Sequence, residues 1–170
     1  MITDLGLEDN DLGDEGAAHL AGALRVNTVL TGLVLGSNGL GAEGALQMSG
    51  ALLENTVLTV LYLGCDGRCN GIGAAGAEHL AGALRVNTVL TKLHLGVNGL
   101  GAEGALHMSA ALRANTVLKE LNLQSNGIGA EGAAQLTGAV RENTVLQKLF
   151  LKGNDVGEER ESERESVCVY

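Results

Sequence analysis

The feature that most restricts this chain is a spacing. In Asn27 to Leu46, NTVLTGLVLGSNGLGAEGAL, leucines and an asparagine stand as Leu30-x-x-Leu33-x-Leu35-x-x-Asn38-x-Leu40. The same spacing starts at Ile2, Leu58, Leu90, Leu118 and Leu146, so successive starts are 28, 28, 32, 28 and 28 residues apart. Self-similarity at such a period marks one supersecondary unit that cannot bury its apolar face alone and must stack on its neighbours. A longer copy overlies the short one. AGALRVNTVLT stands at 21–31 and 81–91, and GLGAEGAL at 39–46 and 99–106, both 60 residues apart. Growth by copying suits a repeated binding surface better than a catalytic site, which needs one unique constellation.

Each unit decodes into a strand, a turn and a helix. The pairs Leu5/Leu7, Leu33/Leu35, Leu61/Leu63, Leu93/Leu95, Leu121/Leu123 and Leu149/Leu151 alternate with other residues. Alternation sends the leucines to one face of a sheet and the intervening residues to the other. Like strands joined by long crossovers must lie parallel. An asparagine follows: Asn10, Asn38, Asn98, Asn126 and Asn154, with Asn70 as the displaced counterpart in the third unit. Its amide offers both donor and acceptor, so stacked copies are expected to form a structural ladder that bonds the backbone of the turn. A glycine such as Gly39 then supplies the positive φ that a tight turn requires.

Helices are expected over about 13–26, 41–54, 73–86, 101–114 and 129–142. Ala45, Met48 and Leu52 make one inward stripe, repeated by Ala17/Leu20/Leu24, Ala77/Leu80/Leu84, Ala105/Met108/Leu112 and Ala133/Leu136/Val140. Glu15, Glu43, Glu103 and Glu131 fall in first turns and Arg25, Arg85, Arg113 and Arg141 near last turns, as the helix dipole favours. Asn27, Asn55, Asn87, Asn115 and Asn143 read as left-handed C-caps. Strands stack about 4.8 Å apart and helices about 8–10 Å apart, so the stack must curve with the sheet inside. Gly22, Gly50, Gly82 and Ala110 read as small residues that lessen this mismatch.

These motifs resemble the leucine-rich repeat, and the 28-residue unit resembles its ribonuclease-inhibitor-like branch. The resemblance implies an α/β solenoid, a horseshoe arc with a parallel sheet on the concave face and helices on the convex face. The repeat domain is expected over residues 1–156, with repeats starting at 2, 30, 58, 90, 118 and 146. Residues 157–170 (GEERESERESVCVY) lose the helix stripe and read as a charged tail.

Composition bounds the partners. A net charge of −9 argues against a nucleic-acid or anionic-membrane surface, which needs clustered Lys and Arg. No apolar run approaches the roughly 20 residues of a membrane span. The start, MITDLGLEDNDLG, lacks the basic-then-apolar order of a signal peptide. With no Asn-x-Ser/Thr sequon and only Cys65, Cys69 and Cys168, the sequence points to a reducing, cytoplasmic setting if Met1 is the start. Ile2, Leu5, Leu7 and Leu12 already belong to a repeat with no polar cap before them. A truncated gene product, a partner, or end-to-end self-association through that first repeat would account for this.

Specificity should lie where copies differ. Between the paired leucines the residues read Gly6, Val34, Tyr62, His94, Asn122, Phe150; before them, Asp4, Gly32, Val60, Lys92, Glu120, Lys148; after them, Glu8, Gly36, Gly64, Gly96, Gln124, Lys152. Two of the chain's three aromatics fall in one row, and aromatics are enriched in interface hot spots. Tyr62, Lys92, His94, Glu120, Asn122, Lys148 and Phe150 are therefore the expected partner-binding patch. The second irregularity is an insertion of four residues within Gly64–Gly71, GCDGRCNG. Its residues Cys65, Asp66, Arg68 and Cys69 form an expected rim loop that could contact a ligand. Two thiols at C-x-x-x-C spacing without a second pair make a weak metal signal, and free thiols the default over a redox pair.

No metal, cofactor or catalytic residue is predicted. His19, His79 and His107 share one helix position with Gln47 and Gln135, which reads as a solvated polar site. No nucleophilic triad, phosphate loop or HExxH is present. Gly39–Gly44, GLGAEG, imitates a dinucleotide fingerprint but recurs at Gly99–Gly104, as repeat geometry would. The expected function is a non-enzymatic protein-interaction scaffold that takes a protein partner on its concave face and strand-exit rim. The resemblance extends to two alternatives: a GTPase-activating regulator similar in repeat type to the Ran GTPase activator, from whose acidic C-terminal segment the short mixed tail departs, and a truncated sensor array of a nucleotide-binding immune receptor.

Overall fold

The computed structural model describes residues 1–65 and 69–156. The expected tail, 157–170, and Asp66 and Arg68 of the expected rim loop lie outside them.

The leucine alternation becomes six short strands: β1 (Asp4–Gly6), β2 (Gly32–Val34), β3 (Val60–Tyr62), β4 (Lys92–His94), β5 (Glu120–Asn122) and β6 (Lys148–Phe150). Between them run α1 (Gly13–Val26), α2 (Gly41–Glu54), α3 (Gly73–Leu84), α4 (Gly101–Ala114) and α5 (Gly129–Glu142). The strands form one parallel sheet in sequence order. Register aligns Leu5, Leu33, Leu61, Leu93, Leu121 and Leu149 across it. These leucines face the helices, and Leu33, Leu61, Leu93 and Leu121 are wholly buried with Met48, Leu80, Met108 and Leu136. The core is therefore a continuous slab between sheet and helices, which adjacent repeats share. Its ends are less covered: Leu5, Leu7, Leu12 and Leu20 are only partly buried, and Ile2 is 71% exposed.

The asparagine after each strand ties neighbouring repeats together. Asn38 Nδ2 donates to Leu35 O and Gly36 O of its own turn and to Leu7 O of the preceding repeat. Its Oδ1 accepts from Asn10 N and Leu12 N, and its carbonyl accepts from Gly13 N at the start of α1. Thus one side chain satisfies a buried turn and one backbone carbonyl caps the preceding repeat's helix. Asn70, Asn126 and Asn154 repeat the acceptor role toward Asn38, Asn98 and Asn126. The series breaks once. Among the described residues Asn98 Oδ1 has no hydrogen-bond partner, although Asn98 is buried. Its donor by analogy would be Asn70 N, the residue that the insertion displaces.

Three expectations change. Asn27, Asn55, Asn115 and Asn143 end their helices at φ −74 to −80 and ψ 127 to 133, extended and not left-handed. The cause is their side chains. Asn55 Oδ1 accepts from Val57 N and Leu58 N while Nδ2 donates to Leu24 O, the last turn of the preceding helix. These bonds turn the chain toward the next strand and leave no use for a left-handed residue. The close helix approaches also lie elsewhere than at Gly22 and Gly82, where a methyl group would meet nothing within 4 Å. A Cβ on Gly104 would stand 3.3 Å from Ala77 Cβ, and one on Gly132 would stand 2.9 Å from Ala105 Cβ. Gly-against-Ala contacts at helix starts let the convex layer draw together. Helix α3 ends at Leu84, two residues short of the expected boundary.

Candidate functional site

The sheet places three rows of side chains away from the core. Gly6, Val34, Tyr62, His94, Asn122 and Phe150 are directly aligned, as are Asp4, Gly32, Val60, Lys92, Glu120 and Lys148. Backbone bonds carry the alignment past the strand ends, from Val97 N to Gln124 O and from Ser125 N to Lys152 O. A third row follows of Glu8, Gly36, Gly64, Gly96, Gln124 and Lys152.

Polar contacts concentrate on β3 to β6. The Tyr62 and His94 rings stack with centroids 4.0 Å apart and planes tilted by 33°. His94 Nε2 lies 3.0 Å from Glu120 Oε1, and Lys148 Nζ lies 3.5 Å from Glu120 Oε2. A carboxylate only accepts, so the contact fixes the proton on Nε2 of the neutral ring. His94 and Glu120 side chains are 15% and 12% exposed, while Lys148 is 58% exposed. Burial lowers the pKa of His94, the hydrogen bond and charge of Glu120 act against that, and the Lys92 charge adds to it. For Glu120 desolvation acts upward, but the hydrogen bond from His94 and the charges of Lys92, Lys148 and His94 hold it below its ordinary range. The neutral-His, ionised-Glu pair is thus the form favoured near neutral pH.

The predicted patch is not one cluster. Tyr62, His94, Glu120 and Lys148 form a connected chain of contacts. Asn122 turns inward on itself, its Oδ1 accepting from Gln124 N. Phe150 stands three strands from Tyr62, about 14 Å by strand spacing. Lys92 is exposed beside the cluster and joins it by charge alone. Of the rim loop, Cys65 is partly buried with Sγ 4.0 Å from Val97 O, and Cys69 is exposed. Among the described residues no group of three or more His, Cys, Asp and Glu could hold a metal ion. None of their helices is long and apolar enough to cross a membrane.

Sequence reasoning missed the bare floor beside this cluster. A Cβ on Gly36 would stand 2.5 Å from Gly64 O, and one on Gly64 would stand 2.7 Å from Gly96 N. Backbones approach so closely there that glycine is required. The signal was available, since three consecutive copies read glycine where the outer ones read Glu, Gln and Lys.

Comparison with known proteins agrees with this architecture. No curated protein matches the sequence. Among solved structures, "Leiomodin-1 Actin-Binding Site 2 (ABS2)" superposes with a TM-score of 0.64 at 21% identity, over 97% of this chain and 76% of that one. At that identity the likeness concerns the fold. The profile of the family described as "Leucine Rich repeat" matches residues 1–21, 26–49, 86–109 and 114–136, more than half of the chain. With its parallel sheet, shared leucine core and repeating asparagine bonds, this chain belongs to the leucine-rich repeat family.

Proposed function

We propose that the chain is a non-enzymatic scaffold, working in the cytoplasm, that binds a protein partner on its concave face and strand-exit rim. The observation that carries this reading is the row contrast. Core and turn positions are nearly invariant between copies, whereas the concave rows diverge and gather Tyr62, His94, Glu120, Lys92, Lys148 and Phe150 on four adjacent strands. A rigid sheet displays these side chains at fixed spacing, so little ordering is lost on binding. Aromatic anchors flanked by charges match the usual make-up of interface centres. The neighbour titled as an actin-binding site supports the scaffold role through fold alone and does not carry actin to this chain.

The test is a comparative capture from cell extract. A protein retained by the wild type should also be retained by a convex-face control, His19→Ala/His107→Ala. It should be lost, with affinity at least about tenfold weaker, from Tyr62→Ala/Phe150→Ala. Equal retention by the concave variant, or loss only from the convex control, would defeat the placement.

A further inference from the structure

The chain has four lysines, and all four lie at one end of the concave sheet: Lys92 in β4, Lys119 just before β5, Lys148 in β6 and Lys152 just after it. Its arginines sit elsewhere in the described repeats, at helix ends. Two of them are paired there, Arg25 with Glu54 at 3.1 Å and Arg113 with Glu142 at 3.3 Å. Lys92, Lys119 and Lys152 are exposed and make no ion pair among the described residues. The only acid in the strand rows of β4–β6 is Glu120, which His94 and Lys148 already occupy. The β1 end has the opposite sign, with Asp4, Glu8 and Asp9. Between the two ends lies the floor of Gly32, Gly36, Gly64 and Gly96, walled by Val34, Val60 and Tyr62. A chain of net charge −9 therefore carries a local basic field on one half of its concave face.

Resting on the scaffold reading above, we propose that the concave face recognises an extended protein segment with acidic side chains, laid across β4–β6, and an apolar or aromatic side chain seated on Tyr62. Charge complementarity selects the acidic class, because unpaired ammonium groups gain most from a carboxylate-rich partner. The glycine floor leaves room for the segment's backbone to approach the strand ends. A long polyanion such as nucleic acid fits less well. Continuing along the sheet, it would meet Asp4, Glu8 and Asp9, and phosphate contacts would be repelled by the net charge. Opposite field signs at the two ends also orient the bound segment, with its acidic part at β6.

A phage-displayed library of random peptides selected on the full chain tests this, followed by anisotropy titration of a labelled selected peptide. The expected result is enrichment of Asp and Glu beside one aromatic residue. Affinity should fall about tenfold for Lys92→Ala/Lys148→Ala/Lys152→Ala, the combined effect of three exposed charge contacts, and should fall as salt shortens the screening length. Binding should weaken similarly for Tyr62→Ala, with circular dichroism unchanged in both variants. Selected peptides that depend on Tyr62 but carry no acidic enrichment, or ignore the lysines, would overturn the acidic class and leave the scaffold reading standing. Peptides that ignore both, or no binders at all, would sink the scaffold reading with it. A labelled oligonucleotide that binds tighter than the peptide in a lysine-dependent way would replace this proposal with a nucleic-acid surface.

Discussion

The asparagine ladder shows how much one buried amide decides. Asn126 donates to Leu95 O and Gln124 O and accepts from Asn98 N and Leu100 N, so its truncation leaves buried groups orphaned on both sides. Asn98 donates to Leu63 O, Leu95 O and Gly96 O, yet its Oδ1 has no partner among the described residues. Removing Asn98 therefore relieves one unsatisfied acceptor while losing its donors. Urea unfolding should show Asn126→Ala destabilised by about 2–4 kcal/mol and Asn98→Ala by at least about 1 kcal/mol less. Equal losses would mean that the break in the ladder has no energetic weight. The His94–Glu120 pair gives a second residue-scale prediction. A histidine whose folded pKa lies below its ordinary 6.5 binds its proton more readily when unfolded, so stability falls as pH drops through that value. Glu120, held below its ordinary 4.5, contributes stability above that pH and loses it as pH falls toward the folded value. Both effects weaken the fold in acid. The urea midpoint of His94→Gln should depend less on pH than the wild type below about pH 6.5; parallel curves would contradict the assignment.

At the scale of elements, the sequence made strands, register and helix spans readable because leucine spacing is repeated and one slip would expose a whole core row. The site was legible only in part. Position in a row follows from register, but contact within a row depends on side-chain direction. That is why Asn122 bonds its own turn while Glu120 joins His94 and Lys148. The helix-ending asparagines misled for a related reason. Asparagine tolerates the left-handed region, but here Oδ1 holds the N–H groups of the following turn while Nδ2, as in Asn55, reaches the preceding repeat, and the extended backbone serves that bonding. The insertion between β3 and α3 is the element with the clearest consequence. Replacing Gly64–Gly71 by the four residues GSNG of Gly36–Gly39 restores the regular spacing and places an asparagine N–H where Asn98 Oδ1 lacks one. Denaturation should then show a gain of about 1–2 kcal/mol. A loss would indicate that the insertion itself supports β3.

Over the whole molecule, two surfaces have been given different tasks. The convex helices carry near-copies of one another, packed through Gly-to-Ala contacts at their starts, with exposed Arg–Glu pairs joining α1 to α2 and α4 to α5. The concave sheet keeps the same backbone under side chains that diverge from repeat to repeat, and its charge runs from acidic at β1 to basic at β6. Since each repeat contacts only its neighbours, divergence in these outward rows disturbs the solenoid little. Function is therefore expected where the copies depart from the pattern. The most direct measurement is amide chemical-shift mapping of the isotope-labelled chain on addition of a selected peptide or captured partner. Perturbations should gather on β3–β6, at Tyr62, Lys92, His94, Glu120, Lys148 and Phe150, and spare the outer faces of α1–α5. Perturbations confined to those helix faces, with the concave rows unmoved, would contradict this placement.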